Sequence, residues 1–136
     1  MRAKEYLSQI KAIEIELYVL SSEINDRYYS VQGVKYDGIS GNRDLDATLH
    51  NTEKIIELQK KYEARQRELY DIRDGIIQTI LKIEDERARQ VIYLRYCRHY
   101  SFHKIAKEMN YGERNIFNLH KKGLMLVDDI ISVNFS

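Results

Sequence analysis

The sequence predicts an all-α protein: a long N-terminal helical hairpin or coiled coil over residues 1–83, then a compact domain of shorter helices over residues 84–136. Three observations predict it. The 136 residues contain no proline, the residue that breaks helices from within. Apolar residues recur at alternating steps of three and four through most of the first 83 positions. From Glu84 onward the apolar residues crowd more of each turn, as in helices that share a small core. Charged residues make up 32% of the chain, which suits helices with large wet faces.

A first helix is expected from Ala3 to about Tyr29. Tyr6, Ile10, Ile13, Leu17, Leu20, Ile24 and Tyr28 fall on one stripe, with Lys4, Glu5, Lys11, Glu14, Glu16, Glu23 and Asp26 between them. Residues Ser30 to Asp44 are expected to break it. Gly33, Gly38 and Gly41 lie there, and the Asp-Gly and Ser-Gly pairs mark turns. Val31, Val34, Tyr36 and Ile39 in this stretch fit either a short extended piece or loop anchors.

A second helix is expected from Asp44, as its N-cap, to about Lys82. It carries a heptad seam: Ile55, Leu58, Tyr62, Arg65, Leu69, Ile72, Ile76, Thr79 and Ile83, with Arg65 and Thr79 as polar interruptions. Gly75 within it costs ~1 kcal/mol relative to alanine. The two helices would be roughly 40 and 58 Å long. Neither hides its stripe alone, so they are expected to pair as an antiparallel hairpin with a second copy of the chain, a homodimer.

Three helical segments follow. The first has Asp85 as its expected N-cap and Ala88, Val91, Ile92, Leu94, Tyr96 and Cys97 as its apolar side. The next two run from Phe102 to Met109 and from Glu113 to about Ile131, with only Asn110-Tyr111-Gly112 between them. That spacing is the requirement of a helix-turn-helix. Ala106 is the small residue where the second helix crosses, flanked by Ile105 and Met109. Asn110 tolerates the left-handed backbone a tight turn needs. Ile116, Leu119, Gly123, Leu124 and Val127 turn inward, which leaves Glu113, Arg114, Phe117, Asn118, Lys121 and Lys122 on the outer face. Arg can bridge guanine O6 and N7, Asn can read adenine, and Glu can accept from cytosine N4. Lys121 and Lys122 suit phosphates.

The stretch VIYLRYCRHYSFHKIAKEMNYGERNIFNLHKKGLMLV resembles region four of bacterial sigma factors, in the order of an RQVIxLRY helix, an S-F-x-x-IA helix, a turn and a recognition helix. With the MRAKEYLSQI start and the Gly-rich, Tyr-containing middle, the whole chain resembles small phage-encoded regulators, the ArpU/RinA-type late activators of Gram-positive prophages. The resemblance implies promoter binding and transcription activation, with contact to RNA polymerase as a further implication. Carried over by position, the major-groove contacts are Glu113, Arg114, Phe117 and Asn118. Two residues depart from the family pattern. Gly112 stands where Ser or Thr is common, and Phe117 replaces a basic or polar residue. The first 83 residues lack tryptophan and any basic-aromatic cluster, so they do not resemble a sigma factor's DNA-melting domain. Assistance to polymerase is therefore the expected role.

Charge is not decisive. The net charge is +1, with nine Lys/Arg against seven Asp/Glu from Glu84 onward and thirteen against fourteen before it. A single cysteine, no signal-peptide pattern and no long apolar run lead to the expectation of a cytoplasmic protein away from membranes. Cys97, His99 and His103 have a spacing that a metal could use, but Cys97 lies in an apolar run and reads as core. Glu84, Asp85 and Glu86 read as helix-capping charges, and the tyrosines near the turn as packing residues. No phosphate-cradling loop or catalytic triad spacing occurs. No enzyme activity, cofactor or metal is expected. The partners expected are double-stranded DNA, RNA polymerase and a second copy of the chain. The competing expectation is a coiled-coil interaction module that docks on polymerase or another factor without reading DNA.

Overall fold

The structure, a computed structural model, describes residues 2–36 and 42–134. Those residues form six helices and no strand: α1 Arg2–Leu7, α2 Gln9–Tyr36, α3 Asn42–Leu81, α4 Glu86–Tyr96, α5 Phe102–Met109 and α6 Glu113–Asn134. The all-α expectation is therefore met.

Three boundaries differ from the sequence reading. The first helix is interrupted at Ser8, where backbone bonds from Ser8 to Lys4 and from Ala12 to Ser8 carry the helical path across. α2 then continues to Tyr36 instead of ending near Tyr29. Gly33 lies inside it, which a helix tolerates at a cost of ~1 kcal/mol. α3 begins at Asn42, so Asp44 lies in its first turn and is not its N-cap. The Asp-Gly and Ser-Gly turn pairs at 37–38 and 40–41 lie outside the described residues, as does Ile39.

The chain divides into two compact units, Met1–Ala12 with Leu69–Ser136, and Ile13–Glu68. The boundary expected between residues 83 and 84 falls inside the first unit. The reason lies in its core. Ala3, Leu7 and Ile10 from the N-terminal helices and Ile76, Ile80 and Ile83 from α3 share one buried cluster with Ala88, Ile92, Leu124 and Val127. Apolar burial of this kind contributes about 25 cal/mol per Å², so α4 and α6 draw part of their core from both ends of the preceding helices.

Polar contacts fix that assembly. The Ala3 N–H donates to Asp128 Oδ1 at 2.7 Å, so a carboxylate of α6 satisfies an orphan donor at the start of α1. Tyr6 Oη and Thr79 Oγ1 are 2.9 Å apart. Arg89 donates through Nε and Nη2 to the Ile83 carbonyl at 2.8 and 2.6 Å, closing the chain just beyond α3. Gly123 explains how closely α6 crosses α4. A Cβ there would lie 2.5 Å from Ile92 Cγ1 and 2.8 Å from Ile92 Cδ1.

The second unit is an antiparallel hairpin of the middle of α2 and the first part of α3. Arg65 forms a bidentate ion pair with Glu16, with Nε–Oε2 at 2.6 Å and Nη2–Oε1 at 3.0 Å, and also pairs with Glu68. At the other end Arg27 Nη1 donates to Asn51 Oδ1 at 3.3 Å. The two polar interruptions of the seam thus each hold an interhelical bond, Arg65 to Glu16 and Thr79 to Tyr6. Such contacts select one register over its neighbours, because slipping by a turn leaves a polar group facing apolar ones.

Candidate nucleic-acid interface

The turn of the helix-turn-helix is built by its own backbone. Asn110 takes the left-handed conformation at φ 58° and ψ 42°. Its N–H bonds the Lys107 carbonyl at 3.3 Å, and the Tyr111 N–H bonds the Ala106 carbonyl at 3.0 Å. These are the two reverse bonds of a Schellman cap. Asn is the residue after glycine that pays least for this backbone, because its short amide can bond locally. Ser101 caps the start of α5, its Oγ accepting from the Lys104 N–H at 3.2 Å. Asp85 caps α4 by accepting from the Arg87 and Ala88 N–H groups, both at 3.0 Å.

A second buried cluster locks α5 against α4 and α6. It consists of Val91, Leu94, Ile105, Ala106 and Ile116, with Tyr93, Tyr100, Phe102, Met109, Tyr111 and Leu119 partly buried around it. The inward set expected for α6 is met, since Ile116, Gly123, Leu124 and Val127 are buried and Leu119 is half-buried. Cys97 lies in the core, and the tyrosines at 93, 100 and 111 pack around the second cluster.

The six candidate contact residues, Glu113, Arg114, Phe117, Asn118, Lys121 and Lys122, are all exposed on α6. They are not equivalent. The side chains of Arg114, Asn118 and Lys121 have no hydrogen-bond or ion-pair partner among the described residues, and they fall on one face at steps of four and three. Glu113 Oε1 is 2.8 Å from His103 Nδ1, which steers its carboxylate toward α5. Lys122 Nζ is 2.6 Å from Asp85 Oδ2. That bond, with the two backbone donors, holds the Asp85 carboxyl below the usual range. Phe117 is 48% exposed, and its ring lies 4.8 Å from that of Phe102. An apolar ring half-packed on a neighbour is a wedge more than a reader of hydrogen-bond edges.

Several further features of this site lie outside the six candidate residues. His99 has a positive φ of 58° in the turn between α4 and α5. Arg95 donates to the Tyr100 carbonyl at 3.0 Å and lies 4.1 Å over the Phe102 ring. Tyr96 Oη is 2.8 Å from His120 Nε2. His120 is held below the ordinary histidine value, first by burial and then by the charges of Arg95 and Lys4, so this pair joins a tyrosine to a neutral imidazole near neutral pH. Among the described residues no helix is long and apolar enough to cross a membrane, and no cluster of three metal-ligating side chains occurs.

Residues 85–127 match the family model described as Sigma-70, region 4. The match begins at the Asp85 cap and ends at the buried Val127, so it spans both caps, the left-handed turn and the candidate recognition helix. It supports a DNA-binding helix-turn-helix regulator. No curated protein and no solved structure matched the chain.

Proposed function

We propose that this chain is a sequence-specific, double-stranded-DNA-binding transcriptional regulator of the phage or prophage type, which acts as a homodimer and assists RNA polymerase at promoters. The observation that carries the reading is the open face of Arg114, Asn118 and Lys121 on the second helix of a capped helix-turn-helix. In this reading α6 enters the major groove by its N-terminal end. Arg114 bridges a guanine and Asn118 reads an adenine. Lys121 takes a phosphate. Lys122 does so by exchanging its bond to Asp85. Glu113, shared with His103, has carboxylate lone pairs left for a cytosine amine, and Phe117 meets a thymine methyl at its exposed edge.

The hairpin supports the dimer. Ile15, Tyr18 and Val19 on α2 are 55%, 72% and 58% exposed. Ile15 and Val19 border a shallow apolar groove with Leu20 and Ala64, rimmed by Glu16, Lys61, Arg65 and Glu68. A second copy offers the same apolar strip and the same mixed rim, which is the self-complementarity a two-fold interface requires.

Selection from random duplexes, followed by mobility shift over a salt series, tests the reading. A recovered site with steeply salt-dependent binding is the expected result. Arg114→Ala is expected to cost about 1–3 kcal/mol and to relax selectivity at one base step. Recovery of no site, or binding indifferent to salt, overturns the DNA reading. Sedimentation of a monomer at micromolar concentration overturns the dimer.

A further inference from the structure

A cleft of about 400 Å³ opens in the first unit between the N-terminal helices and the helix-turn-helix. Lys4 and Lys11 line it from one side, and Arg95, His99 and His120 from the other. No carboxylate lines it. Lys4 and Lys11 are exposed, lie seven residues apart on the same side of the helical path, and pair with no carboxylate among the described residues. Phe102 and Phe117 form its aromatic wall. Phe117 is the link to the outer face, because it lines the cleft while standing on α6 between Arg114 and Lys121.

We propose that this cleft is a DNA-backbone clamp, in which Lys4 and Lys11 of the N-terminal helices neutralise phosphates next to the groove read by α6. The two lysines lie outside the residues 85–127 that match the sigma family model, so the clamp enlarges the footprint beyond that domain. The chemistry fits a polyanion. Unpaired cations with no competing acid have the most to gain from a phosphate, and each such contact releases condensed counterions. The placement fits too. A duplex on the Arg114–Lys121 face passes Phe117, and its next phosphates meet the mouth of the cleft. Ala3 is tied to Asp128, so α1 is held against α6, and its lysines are presented by a fixed element.

The inference rests on the DNA reading above, and its test separates the two. The full-length chain is titrated with a duplex recovered by selection over a range of salt. Lys4→Ala with Lys11→Ala is compared with Lys60→Ala and Arg67→Ala, which remove the same charge at the same spacing from exposed positions on α3. The clamp predicts that the Lys4/Lys11 variant loses about two from the slope of log K against log salt and binds roughly ten- to a hundredfold more weakly near 0.1 M salt. The α3 variant keeps the wild-type slope, and Lys4→Arg with Lys11→Arg restores it. Wild-type binding with an unchanged slope in the Lys4/Lys11 variant overturns the clamp and leaves the DNA reading standing. An equal loss in the α3 variant also overturns it, since net charge would then be the cause. Absence of salt-sensitive binding by the wild type overturns the DNA reading itself.

Discussion

The two compact units bury their apolar residues to different degrees. In the first, Leu7, Ile10, Ile76, Ile83, Val91, Ile92, Ile105, Ile116 and Val127 are fully buried. In the second, Ile13, Leu17 and Leu58 are buried, none of them fully, while Ile15, Val19, Leu45, Leu49 and Ile56 stand exposed. A unit of the first kind is held by close packing, where removed volume leaves a hole. A unit of the second kind is held by one layer of contacts, and its register depends on charge pairs such as Glu16–Arg65. Under the proposed function the difference matters: a helix that reads DNA would need a rigid base, whereas a half-covered hairpin would suit the docking of a second copy.

The largest expected effect tests the packing side of that contrast. Ile116→Ala is expected to destabilise the first unit by about 2–5 kcal/mol, because the cavity it leaves lies between α4, α5 and α6. Leu58→Ala in the hairpin is expected to cost less, about 2 kcal/mol, since Leu58 is 7% exposed and, among its exposed apolar neighbours, loses mainly the transfer contribution. Urea unfolding of both variants checks this. Equal losses would break the contrast.

The two helical glycines give the next effect, with opposite signs. Gly123→Ala pushes a methyl into the fully buried Ile92 and is expected to cost about 1–3 kcal/mol. Gly75 is exposed with open space around it, so Gly75→Ala is expected to stabilise by up to about 1 kcal/mol. A Gly123→Ala melt that does not fall would show that the close crossing of α4 and α6 does not depend on Gly123, and a Gly75→Ala melt that falls would overturn the expectation for Gly75.

These glycines also show what could be read in the sequence. A local rule identifies a weak point at Gly75 and an inward position at Gly123, but only the crossing partner reveals why Gly123 lacks a side chain. The caps and turn were legible for the same local reason. Asp85, Asn110 and the bounds of α5 follow from bonds within a few residues. Asp128 was not legible, because its partner is the Ala3 N–H at the other end of the chain. Thr79 and Arg65 looked like faults in a seam until Tyr6 and Glu16 came opposite them. The candidate face on α6 could be listed from helical periodicity. Its internal ranking could not, because the tie of Lys122 to Asp85, that of Glu113 to His103 and the packing of Phe117 on Phe102 are tertiary contacts. The positive φ of His99 had only a weak signal: histidine, like asparagine, is enriched at this backbone, but no glycine or turn pair beside it marks the position.

The smallest expected effect separates the units by acid. His120 in the first unit is held below its ordinary value of 6.5 by burial and by the nearby Arg95 and Lys4 charges. As the pH falls through 6.5, the unfolded chain takes up this proton before the folded one does, so stability falls with falling pH in that window. Glu16 in the hairpin follows the same sign in a lower pH window. Its bond to Arg65 holds it below the ordinary 4.5, so its contribution is present above 4.5 and is lost only as the pH drops through the lower folded value. Between about pH 7 and 5.5, therefore, His120→Gln is expected to flatten the pH dependence of urea unfolding, while Glu16→Gln leaves it unchanged. Gln keeps a polar partner for the Tyr96 hydroxyl and cannot titrate, which isolates the proton from the hydrogen bond. Flattening by Glu16→Gln in that window, or none by His120→Gln, would show that the Tyr96–His120 pair is not what makes the first unit more acid-sensitive than the hairpin.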